Sequence, residues 1–175
     1  MRKYPNLKTI AFIGNYLPRK CGIATFTKDL LNAVSNEAPQ LECWALAMND
    51  IAQGYHYPSQ VHFELNAKRF TDYKLAAEYL NVNKVDIVCL QHEFGIYGGE
   101  YGSYILALLK NLRMPIVTTI HTLSPNPNPK QKEIIKTIVK ISDRIIVMSK
   151  KAETFLIDNY IVSKDKICFF GISLF

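Results

Sequence analysis

The feature that most limits the fold is a regular alternation of short apolar runs with stretches of helical spacing. Residues 9–13, Thr-Ile-Ala-Phe-Ile, read as a buried strand. Residues 14–22 form a loop, after which Ile23, Phe26, Leu30 and Val34 recur on one helix face. A second strand lies near residues 42–48 and a weaker third near 61–65. Thr71 and Asp72 mark a helix start, with Tyr73, Ala76, Ala77 and Leu80 on one face. Residues 85–91 are the clearest strand. A loop carrying Gly95, Gly98, Gly99 and Gly102 leads from it to a helical face of Tyr101, Tyr104, Ile105, Leu108 and Leu112. Strands at 115–120 and 144–148 follow, separated by a helix marked by Ile134, Ile135, Ile138 and Ile141. Ala152, Phe155 and Leu156 mark the last helix, and residues 167–170 a closing strand.

Near-continuous apolar strands separated by helices imply a parallel sheet buried on both faces. Right-handed crossovers then give an α/β, Rossmann-like, doubly wound parallel sheet. With 175 residues and no internal repeat, residues 1–175 read as one domain. The Pro-Asn alternation at 125–129 is a stiff loop too short to divide domains. In such a sheet the ligand lies beyond the carboxyl ends of the strands. The loops after Ile13, Leu90 and Ile120 are therefore the places to look.

Hydrophobic residues at 49% and charged residues at 21% describe an ordinary globular chain and exclude disorder. No apolar run approaches the roughly 20 residues of a membrane span. The basic start Met1-Arg2-Lys3-Tyr4-Pro5 has no cleavage site of a signal peptide. Cys21, Cys43, Cys89 and Cys168 lack metal-ligand spacing and read as reduced thiols of a cytoplasmic protein. A formal charge of +6 suits a nucleotide, a lipid phosphate or a membrane surface, or is simply a solvated basic surface. No nucleic-acid-binding signature is present. Lys130, Lys132, Lys136 and Lys140 flank the stripe Ile134, Ile135 and Ile138. That pattern is an amphipathic surface helix or a peripheral contact with the inner face of a membrane.

Missing motifs prune the functions. The ATPase phosphate loop is absent, and the first loop holds only Gly14 and Gly22, too few for the dinucleotide fingerprint. Ile96 stands where a zinc protease would need a second His after His92-Glu93. Asp-x-Asp and Gly-x-Ser-x-Gly do not occur.

Three loops carry chemistry. In Pro18-Arg19-Lys20-Cys21-Gly22-Ile23, Gly22 and the amides opening the next helix favour an anion, and Arg19 and Lys20 add charge. A phosphate or polar-sugar contact and a tight turn with two solvated cations both fit. The segment opening with Gln91, His92 and Glu93 follows the most buried strand, where polar side chains are costly without partners. Either His92 and Glu93 line an acceptor cleft or they hold their loop. His121, ending Thr118-Thr119-Ile120, either bonds or deprotonates a sugar hydroxyl or is a satisfied structural residue. Tyr16, Phe94 and Tyr97 are suited to stacking on a sugar ring or to packing.

These segments, in order, resemble a bacterial branch of family 4 glycosyltransferases. The carriers are Tyr16-Leu17-Pro18-Arg19-Lys20-Cys21-Gly22-Ile23-Ala24-Thr25-Phe26, Gln91-His92-Glu93-Phe94-Gly95-Ile96-Tyr97-Gly98-Gly99, Thr119-Ile120-His121-Thr122 and Val147-Met148-Ser149. The resemblance implies one half of a GT-B fold, two Rossmann-like domains with the site between them. It implies transfer of a hexose from a nucleotide sugar, with retention, to a carbohydrate or lipid-linked acceptor. No cofactor or metal is implied; the nucleotide sugar is a co-substrate. The N-terminal domain mostly holds the acceptor, with Gly22 near the donor phosphates and His121 near the reacting sugar. Arg19, Lys20, His92, Glu93, Gly98, Gly99 and Ser149 are the further matches for donor-phosphate or acceptor contacts.

Two departures stand out. Cys21-Gly22 replaces the two glycines that many members carry. Residues 168–175 contain no His before Gly171, and no two glutamates are separated by seven intervening residues. The expectation is an acceptor-side domain without its C-terminal donor-binding half, incomplete alone. The competing expectations are a stand-alone acceptor-binding subunit that recruits a separate catalytic chain, and an unrelated nucleotide-binding protein.

Overall fold

The computed structural model describes residues 7–171. The basic start at residues 1–5 and the apolar end at 172–175 lie outside that range. The elements run β1 Thr9–Gly14, α1 Gly22–Glu37, β2 Glu42–Asn49, β3 Val61–Asn66, α2 Phe70–Val82, β4 Ile87–His92 and α3 Ile105–Leu109. They continue with β5 Ile116–Ile120, α4 Pro129–Ile141, β6 Arg144–Val147, α5 Lys150–Tyr160 and β7 Ile167–Phe169. The strands form one parallel sheet in the order β3-β2-β1-β4-β5-β6-β7. This is the doubly wound Rossmann-like order. The winding reverses at β1, which opens a crevice between the loops after β1 and β4.

Successive residues of β1 face opposite layers. Ala11 and Ile13 pack with Tyr73, Leu80 and Leu108 of α2 and α3, and Ile134 of α4 joins the same cluster. Ile10 and Phe12 pack on the other face, against Leu31 of α1. A third cluster joins Ile135 and Val139 of α4 to Leu156 of α5 over Ile145 and Val147 of β6. Two aspartates clip the strand starts. Asp86 Oδ2 accepts from the amides of Lys8 and Thr9 at 2.8 and 2.9 Å, and Asp143 Oδ2 accepts from the Ile116 amide at 2.8 Å.

Burial on both faces holds around β1 and β2 but not across the whole sheet. On the α1 side, Val117 and Ile146 are only half-buried and Cys168 is exposed. Register places Cys89 beside Val117 and Ile146 beside Cys168, so these residues continue one face. Exposed Phe169 and Phe170 follow at the edge.

Three boundaries differ from the periodicity. The β4 ladder begins at Ile87, because Asp86 turns its side chain to β1 and the Val85 amide bonds back to Leu80. Helix α2 begins at Phe70, and Asp72 accepts from the Asn66 amide at 3.2 Å. The helix expected from Tyr101 to Leu112 shrinks to Ile105–Leu109. Gly99, Tyr101 and Gly102 all have positive φ, which reverses the chain and exposes Tyr101. A right-handed helix cannot propagate through such residues.

The same loop is pinned by a relay. The Gly98 amide donates to the Tyr73 hydroxyl at 2.8 Å, which donates to the Ala67 carbonyl at 2.9 Å. A Cβ on Gly98 would stand 1.8 Å from that carbonyl oxygen, which is backbone and cannot step aside. Gly98→Ala is expected to cost about 3 kcal/mol. Urea unfolding should show a lower midpoint at an unchanged m-value; a midpoint equal to the parent's would refute the tight crossing.

Candidate functional site

The loop leaving β1 is held from below. Asn15 and Tyr16 are buried, and the Tyr16 hydroxyl donates to Gln60 Oε1 at 3.2 Å. Leu17-Pro18 is cis. Arg19 donates to Asn15 Oδ1 at 3.0 Å and pairs with Asp50 at 3.2 Å. Its charge is thus matched by Asp50, and of the two predicted cations only Lys20 is exposed. Cys21 caps α1: its sulfur accepts from the Ala24 amide at 3.3 Å and from Asn15 Nδ2 at 3.2 Å. Gly22 then opens α1, is exposed, and has nothing within 4 Å of where a Cβ would stand. The space before this helix terminus is open, and helix N-termini favour anions.

The ends of β4 and β5 form the second wall. Gln91 pairs with Thr119 and His92 with Ile120, and the His121 amide donates to the His92 carbonyl at 3.0 Å. His121 Nε2 lies 3.0 Å from Gln91 Oε1. Phe26 of α1 meets the His121 ring edge-on at 4.8 Å. Glu93 links the two loops, accepting from the Phe94 amide at 3.0 Å and from the Thr122 hydroxyl.

His92 belongs to the interior. It is 0% exposed, stands edge-on to Phe94 at 5.1 Å, and finds no partner for either ring nitrogen among the described residues. Gln91 Nε2 is likewise buried and unpartnered. Such a group costs about 1–3 kcal/mol. Burial first, and the nearby His121 charge second, push the His92 pKa down to about 3. Burial also holds His121 below the usual imidazole value, while Glu93 pulls it upward. The site therefore presents a neutral imidazole.

His121 opens onto a cleft of about 360 Å³ whose other walls include Leu123, Pro125, Met148, Ser149 and Phe155. Ser149 caps α5, its hydroxyl accepting from the Ala152 amide at 3.1 Å. Of the predicted site residues, His121 and Ser149 line this cleft. Gly22 stands one turn before Phe26 on α1. His92 is too deep to touch an acceptor, which corrects its placement in the cleft lining. Gly98 and Gly99 serve packing: one crosses Ala67, and the other has positive φ and abuts the Tyr104 ring. Tyr16 and Tyr97 are buried in the core, so neither ring is free to stack on a sugar. Gln91, Phe26 and Phe155 were not singled out for the site. Gln91 alone carried a signal, a polar residue ending a buried strand.

A model of Glycosyltransferase Family 4 matches residues 22–170. The chain belongs to that family. Among solved structures, this family 4 chain is similar to a glycosyltransferase from Rickettsia africae ESF-5. The two share 18% identity at a TM-score of 0.61, over 95% of this chain and 43% of that one. It is similar also to a sucrose-phosphate synthase structure from Thermosynechococcus elongatus, at 12% identity and a TM-score of 0.60, over 95% and 90% of the two chains. The chain thus spans less than half the length of the Rickettsia protein. No curated protein sequence matches it. Among the described residues, no helix is long and apolar enough to cross a membrane.

The buried imidazole makes stability depend on pH. Folded His92 stays unprotonated down to about pH 3, whereas the unfolded residue takes a proton near 6.5. Between those values the unfolded state binds more protons, so this contribution is full above 6.5 and is lost as pH falls toward 3. The urea midpoint should decline between neutral pH and pH 4, and His92→Leu should flatten the decline. An equally steep decline in that variant would contradict neutral burial of His92.

Proposed function

We propose that this chain is the acceptor-side domain of a retaining glycosyltransferase that moves a hexose from a nucleotide sugar to a carbohydrate or lipid-linked acceptor. The observation that carries the reading is His121. It is a neutral imidazole at a strand end, fixed by Gln91, opening on a cleft bounded by the start of α5. Such a nitrogen can hold or deprotonate a sugar hydroxyl. Gly22 and the first amides of α1 offer an anion site on the donor-phosphate side, and exposed Lys20 adds positive charge. Glu93 and Thr122 form the rim between the β4 and β5 loops. Ser149, capping α5 on the far wall, is a further donor or acceptor contact.

Transfer requires the leaving diphosphate to be stabilised by fixed donors in a closed, water-poor cleft. One sheet edge supplies an open shelf. The nucleotide would be gripped by a second, donor-binding domain, and this chain alone would be inactive. No bound metal takes part in the proposed transfer. A cytoplasmic setting, with the lysines of α4 meeting the inner membrane face, completes the reading.

The half-open sheet face favours a second reading. Val117, Ile146, Cys168, Phe169 and Phe170 offer apolar surface to another polypeptide. A stand-alone acceptor-binding subunit that recruits a separate catalytic chain would use it.

The test is transfer of radiolabelled hexose from uridine and guanosine diphosphate sugars. It compares the chain alone with the chain joined or mixed with its donor-binding half. Transfer is expected only with both halves, and His121→Ala should lower the rate about 10²- to 10⁴-fold. Undiminished transfer by a folded His121→Ala protein would remove His121 from the mechanism. A saturable calorimetric signal for a nucleotide sugar on the chain alone would contradict the division of labour.

A further inference from the structure

We propose that Gln91 is a positioning residue that locks His121 in the tautomer protonated on Nε2, so that Nδ1 is the bare nitrogen offered to the cleft. The proposal rests on the reading of His121 as the residue facing the sugar, and adds which of its atoms does so.

Gln91 is fully buried near the end of β4. Its main chain is fixed twice over. The residue pairs with Thr119 in the ladder, and its carbonyl accepts from the Tyr97 hydroxyl. Among the described residues its side chain has one partner, the His121 ring, with Oε1 3.0 Å from Nε2, while its own Nε2 has none. A leucine of similar size would fill this place without leaving a buried donor unpaired, so stability does not account for an amide here. What the amide adds is an acceptor oxygen aimed at one ring nitrogen.

A carbonyl oxygen accepts and cannot donate, so the nitrogen facing it must carry hydrogen. A neutral imidazole carries only one, which leaves Nδ1 bare. The Phe26 edge at 4.8 Å keeps the ring from turning away, and the bond from the His121 amide to the His92 carbonyl at 3.0 Å fixes the main chain that carries it. The ionisable groups around it are Glu93, which follows β4 and bonds Thr122, and His92, which is neutral in the interior. A bare Nδ1 accepts a hydrogen bond from a hydroxyl and has nothing to donate to an ether or carbonyl oxygen. The cleft is thereby set for a hydroxyl that points its hydrogen at His121.

The tautomer is readable directly by long-range proton–nitrogen correlation of the ¹⁵N-labelled chain near neutral pH, without substrate or a second domain. The expected result is a protonated Nε2 and an unprotonated Nδ1 for His121. In Gln91→Leu a measurable Nδ1–H fraction should appear. In Gln91→Glu, which keeps an acceptor oxygen in place, the Nε2–H form should persist and the His121 titration midpoint should rise. A wild-type His121 protonated on Nδ1 overturns the proposal without needing any variant. So does a folded Gln91→Leu chain whose His121 spectrum is unchanged. In the transfer assay, Gln91→Leu should lower kcat on the order of tenfold with little change in donor KM. The expected spectra combined with undiminished transfer would uphold the locking by Gln91 and overturn the role of His121.

Discussion

β4 lies parallel on β1, with Ile10 opposite Ile87 and Ile13 opposite Leu90. That pairing joins the two halves of the winding. Everything on one side is reached through α1, and everything on the other through α2, so the join cannot slip without moving the core on both faces. A one-residue shift would exchange Ala11 and Ile13 for Ile10 and Phe12 between two differently shaped layers. Asp86 reinforces the register by holding the first amides of β1. The same join sets the loops after β1 and β4 side by side, and it brings Phe26 of α1 against His121.

Much of this was legible in the chain. Apolar runs of strand length and helical spacing in Ile23, Phe26, Leu30 and Val34 fix the layers, because burial enforces periodicity wherever an element has one dry face. Signals failed where backbone conformation decided the outcome. Tyr101 sits in a helical pattern by spacing, yet Gly99 and Gly102 on either side adopt positive φ and stop the helix. Gly98, their neighbour, has negative space rather than special φ as its reason, since the Ala67 carbonyl lies where its side chain would be. Nothing in the letters separates these roles. The Cys21 cap escaped notice because a thiol is an uncommon cap acceptor, used here with Asn15 as a second partner.

The site was half legible for the same reason. His121 follows a strand and was singled out by that rule, which needs only local sequence, whereas Ser149 came from the resemblance alone. Arg19 and His92 follow or end strands too, but their partners decide what they do. Asp50, 31 positions further along the chain, matches the charge of Arg19. The interior takes in His92 whole, beside Phe94 and Tyr97. Gln91 stands 30 positions from the imidazole it meets, so no local pattern could pair them.

The end of β4 is where the demands of folding and chemistry separate. Each buried polar atom without a partner costs about 1–3 kcal/mol, against a net stability of about 5–15 kcal/mol for a domain. Gln91 Nε2 and both nitrogens of His92 fall in consecutive residues of the most central strand pair. Apolar residues there would make a better core, as Ile10, Phe12 and Leu90 do one step deeper. The sheet tolerates the loss because β1, β2 and β4 are otherwise closely packed and the polar atoms sit at the carboxyl edge. A position that weakens its own fold while holding a neighbouring imidazole is not explained by packing, and its reason lies in the side chain it holds.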